Sequence, residues 1–402
     1  MNIKIQEPYT KSNGHTEGKK LDNSKGISRL KSKKVVWVIA AANLCVTIAM
    51  GINIVLFPVI LKENHIPEFF IGFSAVIDLS AGLLIAPYLN RITNKISAIY
   101  LTTFLLFLYS ILVLLIPFFI NYIIWLFYMV IFGLFWFCFF TLGNTILNQY
   151  IDDKNRSLLI SINTTIICVG ITIGSSIVKL LGTNNYALWV ICATLTLFTA
   201  IMFAISLSNI KVKISSTINQ KISYYLKKRP DIFLGKFFQE YITTTVFVFM
   251  VIYGMNNGFS AENAALIVSF YTLSTIFDIL IGYLSDKANR PLKHLKPIIF
   301  ISTLLMFFIY IFASKYYLML LLIFLLGISA GYVYINCNSE LNSYFPKEDL
   351  VAANSCYSMS GNLGGILASL ITGLLLQNLG NIGIFLPILI ISSFFLFVKT
   401  TH

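Results

Sequence analysis

Twelve runs of mostly apolar residues follow one another along this chain, at about 35–61, 70–89, 96–117, 121–148, 158–181, 186–208, 232–256, 263–285, 297–313, 316–342, 351–377 and 382–398. Only short polar breaks separate most of them. A helix needs about 20 such residues to cross the hydrocarbon core of a bilayer. Inside that core every backbone N–H and C=O must be bonded within the protein, which leaves helices and closed barrels as spanning structures. The runs are far longer than barrel strands and lack period-two alternation, so they read as helices. Composition agrees: 57% of the 402 residues are apolar and 11% charged, with a mean hydropathy of +0.82. That much apolar surface cannot be hidden in one water-facing core, and the expected fold class is an all-α membrane protein of twelve spans.

The net charge of +13 would suit a nucleic-acid binder, but its distribution argues against one. With these spans, 26 of the 29 Lys and Arg residues fall on the side that holds both termini, and only Lys62, Lys179 and Lys315 on the other. Basic residues accumulate on the cytoplasmic face of membrane proteins. Both termini are therefore expected in the cytoplasm, with the chain in the inner (plasma) membrane. Residues 1–34 form a basic arm whose composition predicts disorder and contact with anionic lipid. The long first run ends without a small-residue cleavage site and is read as a retained helix, not a signal peptide. The six cysteines all fall inside spans without CxxC spacing, and the four histidines lie in loops or tails. No metal site and no cofactor are expected.

The chain also repeats itself. At a spacing of 194 residues, Gly133 aligns with Gly327, Asn144 with Asn338, Leu147 with Leu341, Asn148 with Asn342 and Tyr150 with Tyr344. Nearby, Asn163, Gly170 and Gly174 align with Asn354, Gly361 and Gly365 at a spacing of 191. Two six-span halves of the same topology follow. The expected domains are the arm 1–34, a first bundle 35–208, a polar linker 209–231 carrying Lys227, Lys228, Arg229 and Pro230, and a second bundle 232–399.

Parallel six-helix halves related by an axis along the membrane normal are a transporter architecture. On these residues the chain resembles the Major Facilitator Superfamily, over about residues 35 to 399. The loop Gly282-Tyr283-Leu284-Ser285-Asp286-Lys287-Ala288-Asn289-Arg290 is similar to the family's G-x-L-x-D-R/K-x-G-R motif between the eighth and ninth spans. The stretch Ala86 to Lys95 is a degenerate copy with Asn90 in place of the aspartate. The resemblance implies two pseudo-symmetric six-helix bundles, alternating access, and a gating role for Arg91, Asp286, Lys287 and Arg290. It further implies a cavity lined by spans 1, 4, 7 and 10, which makes Asn43, Thr47, Trp136, Phe140, Asn144, Tyr334 and Asn338 the candidate substrate-binding set. Stacking and hydrogen bonding by such residues favour a neutral or amphipathic solute over a phosphate.

Carboxyl groups inside spans cost at least about 2.5 to 3.5 kcal/mol and call for a reason. Asp78, Glu240 and Asp278 are the candidates, and as carboxyls they could take up and release a proton. Glu240 shares a partly polar helix face with Thr243, Thr244 and Phe247. The alternatives are packing residues for the two aspartates and a carboxylate paired near Lys236 at the cytoplasmic end for Glu240. Two departures weaken drug–proton antiport: Met129 stands where the family's drug extruders carry arginine, and Ser175 where they carry proline. No nucleotide-binding or hydrolase motif occurs, so neither ATP hydrolysis nor an enzyme activity is expected. The expected partners are a small solute, a proton and the lipid bilayer, with no nucleic acid, and the chain is read as a monomer. A transporter-like sensor that binds ligand without flux is the rival reading.

Overall fold

The long apolar runs fold as helices because nothing inside them offers the backbone another partner, and turns form where Gly, Asn and Pro gather. The structure is a computed structural model that describes residues 14–119, 121–150, 156–207, 222–287, 291–346 and 349–397. Its elements are α1 (Gly14–Glu63), α2 (Glu68–Lys95), α3 (Ala98–Leu115), α4 (Tyr122–Tyr150), α5 (Arg156–Leu181) and α6 (Ala187–Ser206) in the first half. The short α7 (Ile222–Lys228) follows. The seventh span comprises α8 (Pro230–Thr245), a π-helical turn at Val246–Met250 and α9 (Val251–Asn256); the eighth comprises α10 (Ala261–Leu273), a 3₁₀ turn at Ser274–Phe277 and α11 (Asp278–Lys287). The remaining elements are α12 (Leu295–Ile311), α13 (Tyr316–Tyr344), α14 (Leu350–Leu379) and α15 (Leu386–Phe397). Among the described residues, 10 helices are long and apolar enough to cross a membrane, and the shorter α12 and α15 are the expected ninth and twelfth spans.

Local chemistry sets several boundaries. Ser260 caps α10, its side chain accepting from the backbone of Asn263 at 3.2 Å. Gly182, at φ +84°, ends α5, and Gly258, at φ +87°, turns the chain after α9. A side chain is disfavoured in that region of backbone space. One boundary differs from expectation: α1 begins at Gly14, so the helix of the first span continues back through the basic stretch. No proline lies between Pro8 and Pro58, and charge alone does not stop a helix.

The repeat reappears as packing. In the first half α1 lies on α5 and α6, α2 on α4, and α3 on α6; in the second α8 lies on α14 and α15, α10 and α11 on α13, and α12 on α15. Gly133 of α4 sits against the carbonyl of Asp78, while its repeat partner Gly327 of α13 sits against Ser274 and the carbonyl of Tyr271. Gly170 of α5 lies against Thr47, and its partner Gly361 of α14 leaves room for the stem of Lys236. Each bundle has an aromatic interior: Tyr109, Trp125, Phe132 and Phe135 in one, Phe233, Tyr241, Phe249 and Tyr253 in the other. Large apolar side chains such as Ile123, Leu180 and Phe394 point outward, as a lipid-facing surface requires.

The halves meet along two seams, α2 with α14 and α5 with α10. On the first, Gly72 backs onto the carbonyl of Ser369, Gly373 onto that of Glu68, and the Phe69 amide donates to Gln377 Oε1 at 3.3 Å. On the second, Thr172 and Thr272 hydroxyls bond at 2.8 Å, Ser175 and Ser269 at 2.7 Å, and Lys179 donates to Asn263. These contacts use the start of α2 and α10 and the end of α5 and α14. The halves are therefore drawn together at the end opposite the termini.

Candidate functional site

Midway along the spans, between the two halves, lies a cavity of about 420 Å³. Its walls follow helical periodicity. Spaced three or four residues apart, Asn53 and Phe57 project from α1, Ser74, Asp78 and Gly82 from α2, and Met129, Gly133, Trp136, Phe137 and Phe140 from α4. The second half contributes Glu240 and Thr244 from α8, Phe247 from the π-helical turn and Asn362 from α14. Such turns recur where a helix must present side chains to a site.

The first-half wall is aromatic. Phe57 stacks on Phe132 at 5.2 Å between ring centroids and meets the edge of Trp125 at 5.1 Å. Trp136 and Phe140 lie nearly parallel at 5.8 Å. Asn53 is held by α3, donating to the hydroxyl of Tyr109. The hydroxyl of Ser74 is spent on the carbonyl of Ile71 at 2.7 Å. Asp78 contrasts with both: its Oδ1 is buried and has no hydrogen-bond partner among the described residues.

The second-half wall is charged and internally paired. Lys236 Nζ donates to Glu240 Oε2 at 2.6 Å and to Gln239 Oε1 at 2.7 Å, and it lies over the rings of Tyr334 and Tyr357 at 4.9 and 5.7 Å. Gln239 Nε2 donates to Thr243 Oγ1 at 2.9 Å, and that hydroxyl meets Tyr271 OH at 2.8 Å. Glu240 thus lines the cavity and is neutralised from behind. Asp278 lies off the cavity, its Oδ1 also buried without a partner among the described residues, packed where Gly331 of α13 has no side chain.

The expected substrate-binding residues are dispersed. Trp136 and Phe140 line the cavity, and Tyr334 stands behind it over Lys236. Asn43 is buried and donates to Asn163 Oδ1 at 2.6 Å, tying α1 to α5, while Thr47 donates to the carbonyl of Asn43 at 2.6 Å. Asn144 is exposed on α4, and Asn338 accepts from Asn342 within α13. The gating set lies outside the described residues: Arg290 wholly, and Arg91, Asp286 and Lys287 as to their side chains.

The pairing with Lys236, one of the two readings the sequence allowed for Glu240, is present together with a place on the cavity wall. One feature was not singled out from the sequence: a buried ion cluster where the linker enters α8. Arg229 grips Asp231 through two bonds of 3.1 Å, donates to Glu340 Oε1 at 2.7 Å and covers the ring of Tyr344 at 4.8 Å.

The comparisons with known proteins agree with the fold. The family model of the Major Facilitator Superfamily matches residues 39–295 and, overlapping it, 232–401. No curated protein matches the chain. A solved structure of a bacterial homologue of the human lysosomal transporter Spinster, in an inward-facing and unoccupied conformation, is similar at a TM-score of 0.69 and 13% identity, covering 91% of this chain and 95% of that one. The nucleoside transporter NupG is similar at a TM-score of 0.68 and 15% identity, covering 90% and 96%. At such identities the structures speak for the fold, and the family match spans both bundles. The chain belongs to the Major Facilitator Superfamily and is a multi-pass membrane protein of that transporter fold.

Proposed function

We propose that this protein is a secondary active transporter that moves a small solute across the cytoplasmic membrane by alternating access, with a proton as coupling ion. The observation that carries the reading is a mid-span cavity walled by both halves, with the close seams between halves, among the described residues, at the end opposite the termini. A site of that kind reaches one side of the membrane and then the other if the halves rock about it. Asp78 at the cavity and Asp278 beside Gly331 each bury a carboxyl oxygen without a partner among the described residues, and Glu240 lines the cavity from the other half. A carboxyl so placed carries a proton at one stage of a cycle and a cation or donor at another. The bias of 26 basic residues in 29 supports cytoplasmic termini and an inner-membrane location.

The test is flux into proteoliposomes with and without a pH gradient, for the native chain and for Asp78→Asn, Glu240→Gln and Asp278→Asn. Gradient-driven accumulation is expected, falling at least about tenfold in Asp278→Asn, which lies off the cavity, while solute binding is kept. Binding without flux under any gradient would make the protein a ligand sensor instead.

A further inference from the structure

We propose that the cavity selects solutes that carry a protonated amine on an aromatic or apolar body, with the amine held at Asp78 and the body against the α4 wall. The inference rests on reading this cavity as the transport site and deepens it. Its lining holds two carboxyl groups, Asp78 and Glu240, and no Lys, Arg or His among the described residues. Glu240 has its counter-charge in Lys236 at 2.6 Å, so Asp78 is the carboxyl left without one. Its Oδ1 is buried without a donor among the described residues, while Asp78 itself is only part-buried and lies on the cavity wall, so the carboxyl is left for a ligand to balance. A protonated amine against that carboxyl balances it most strongly.

The rest of the wall sets the body of the ligand. Phe57, Trp136, Phe137, Phe140 and Phe247 present ring faces and edges, which pack an apolar group and attract a cation above them. A sugar-like solute is less favoured than an apolar body, because the Ser74 donor is spent on Ile71 and one donor of Asn53 on Tyr109, which leaves Thr141, Thr244 and Asn362 as the main polar side chains among many aromatic and aliphatic ones. An anion meets carboxyl groups with no free cation. The volume of about 420 Å³ is that of a small drug-sized ligand.

The experiment is calorimetric titration of the purified full-length protein with phenylbutylamine, phenylbutanol and phenylbutyrate, which share a body and differ in the charge of one end. The amine is expected to bind about tenfold or more tightly than the alcohol, and the carboxylate least. Asp78→Asn brings the amine to about the alcohol's affinity while the alcohol is still bound, which also shows that the variant is folded. Trp136→Ala weakens amine and alcohol alike. The proposal is overturned if the carboxylate binds as tightly as the amine, if the amine's advantage survives Asp78→Asn, or if none of the three binds. Proton-driven flux of some other solute alongside such a result would leave transport standing and remove only the ligand class. Amine binding with no flux would do the reverse.

Discussion

At Gly133 a side chain would drive into the carbonyl of Asp78, and at Gly327 into Ser274 and the carbonyl of Tyr271, so both glycines hold a pair of helices at one close distance. Overpacking at such a site costs about 1–3 kcal/mol. Gly133→Ala and Gly327→Ala are each expected to lower the thermal unfolding midpoint in detergent, whereas Gly282→Ala, whose added carbon meets nothing, leaves it unchanged or higher. Arg229→Met strands the buried carboxyl of Asp231 and is expected to cost about 3–5 kcal/mol in the same measurement. Arg229→Lys recovers only part, since an ammonium cannot make the two-pronged bond. Asp78 and Glu240 were legible in the sequence because a carboxyl in an apolar run needs a reason to be there. Asn43, Asn144 and Asn338 were less so. Helical periodicity gives the face on which an amide lies but not the neighbour that meets it, and Asn163 takes the amide of Asn43.

Among the elements, the two seams between halves differ in chemistry. The α2–α14 seam is a close approach at small residues, Gly72 on Ser369 and Gly373 on Glu68. The α5–α10 seam is a row of hydroxyl bonds, Thr172 to Thr272 and Ser175 to Ser269. An interhelical bond of this type contributes about 0.6 kcal/mol. Ser175→Ala combined with Ser269→Ala is therefore expected to favour parting of the closed end by a few-fold. The measure is the rate at which an impermeant thiol reagent, added from the side opposite the termini, labels Ser74→Cys in a chain whose six native cysteines are replaced. An unchanged rate would mean that the hydroxyl bonds do not hold that end shut. The long helices were readable from apolar run length, and their interruptions were not. The π-helical turn at Val246–Met250 and the 3₁₀ turn at Ser274–Phe277 lie inside unbroken apolar sequence, where hydropathy is the same for every helix type.

For the molecule as a whole, the repeat in sequence fixes the repeat in packing. Helix pairs within one half recur in the other, and the aspartates fall one turn apart in equivalent spans. The repeat also sets which helices join the halves, since the α2–α14 and α10–α5 seams are exchanged by it, but not their chemistry, which is small residues at one and hydroxyls at the other. The cavity is likewise unequal, aromatic on one side and charged on the other, although its walls come from related helices. The central claim is that the closed end opens. Spin labels at Leu180 on α5 and Tyr317 on α13, both exposed at that end on different halves, report it as a distance in lipid nanodiscs. The account predicts two distance populations, with the longer gaining or losing weight as pH is changed or solute is added. A single short distance under every condition would contradict it.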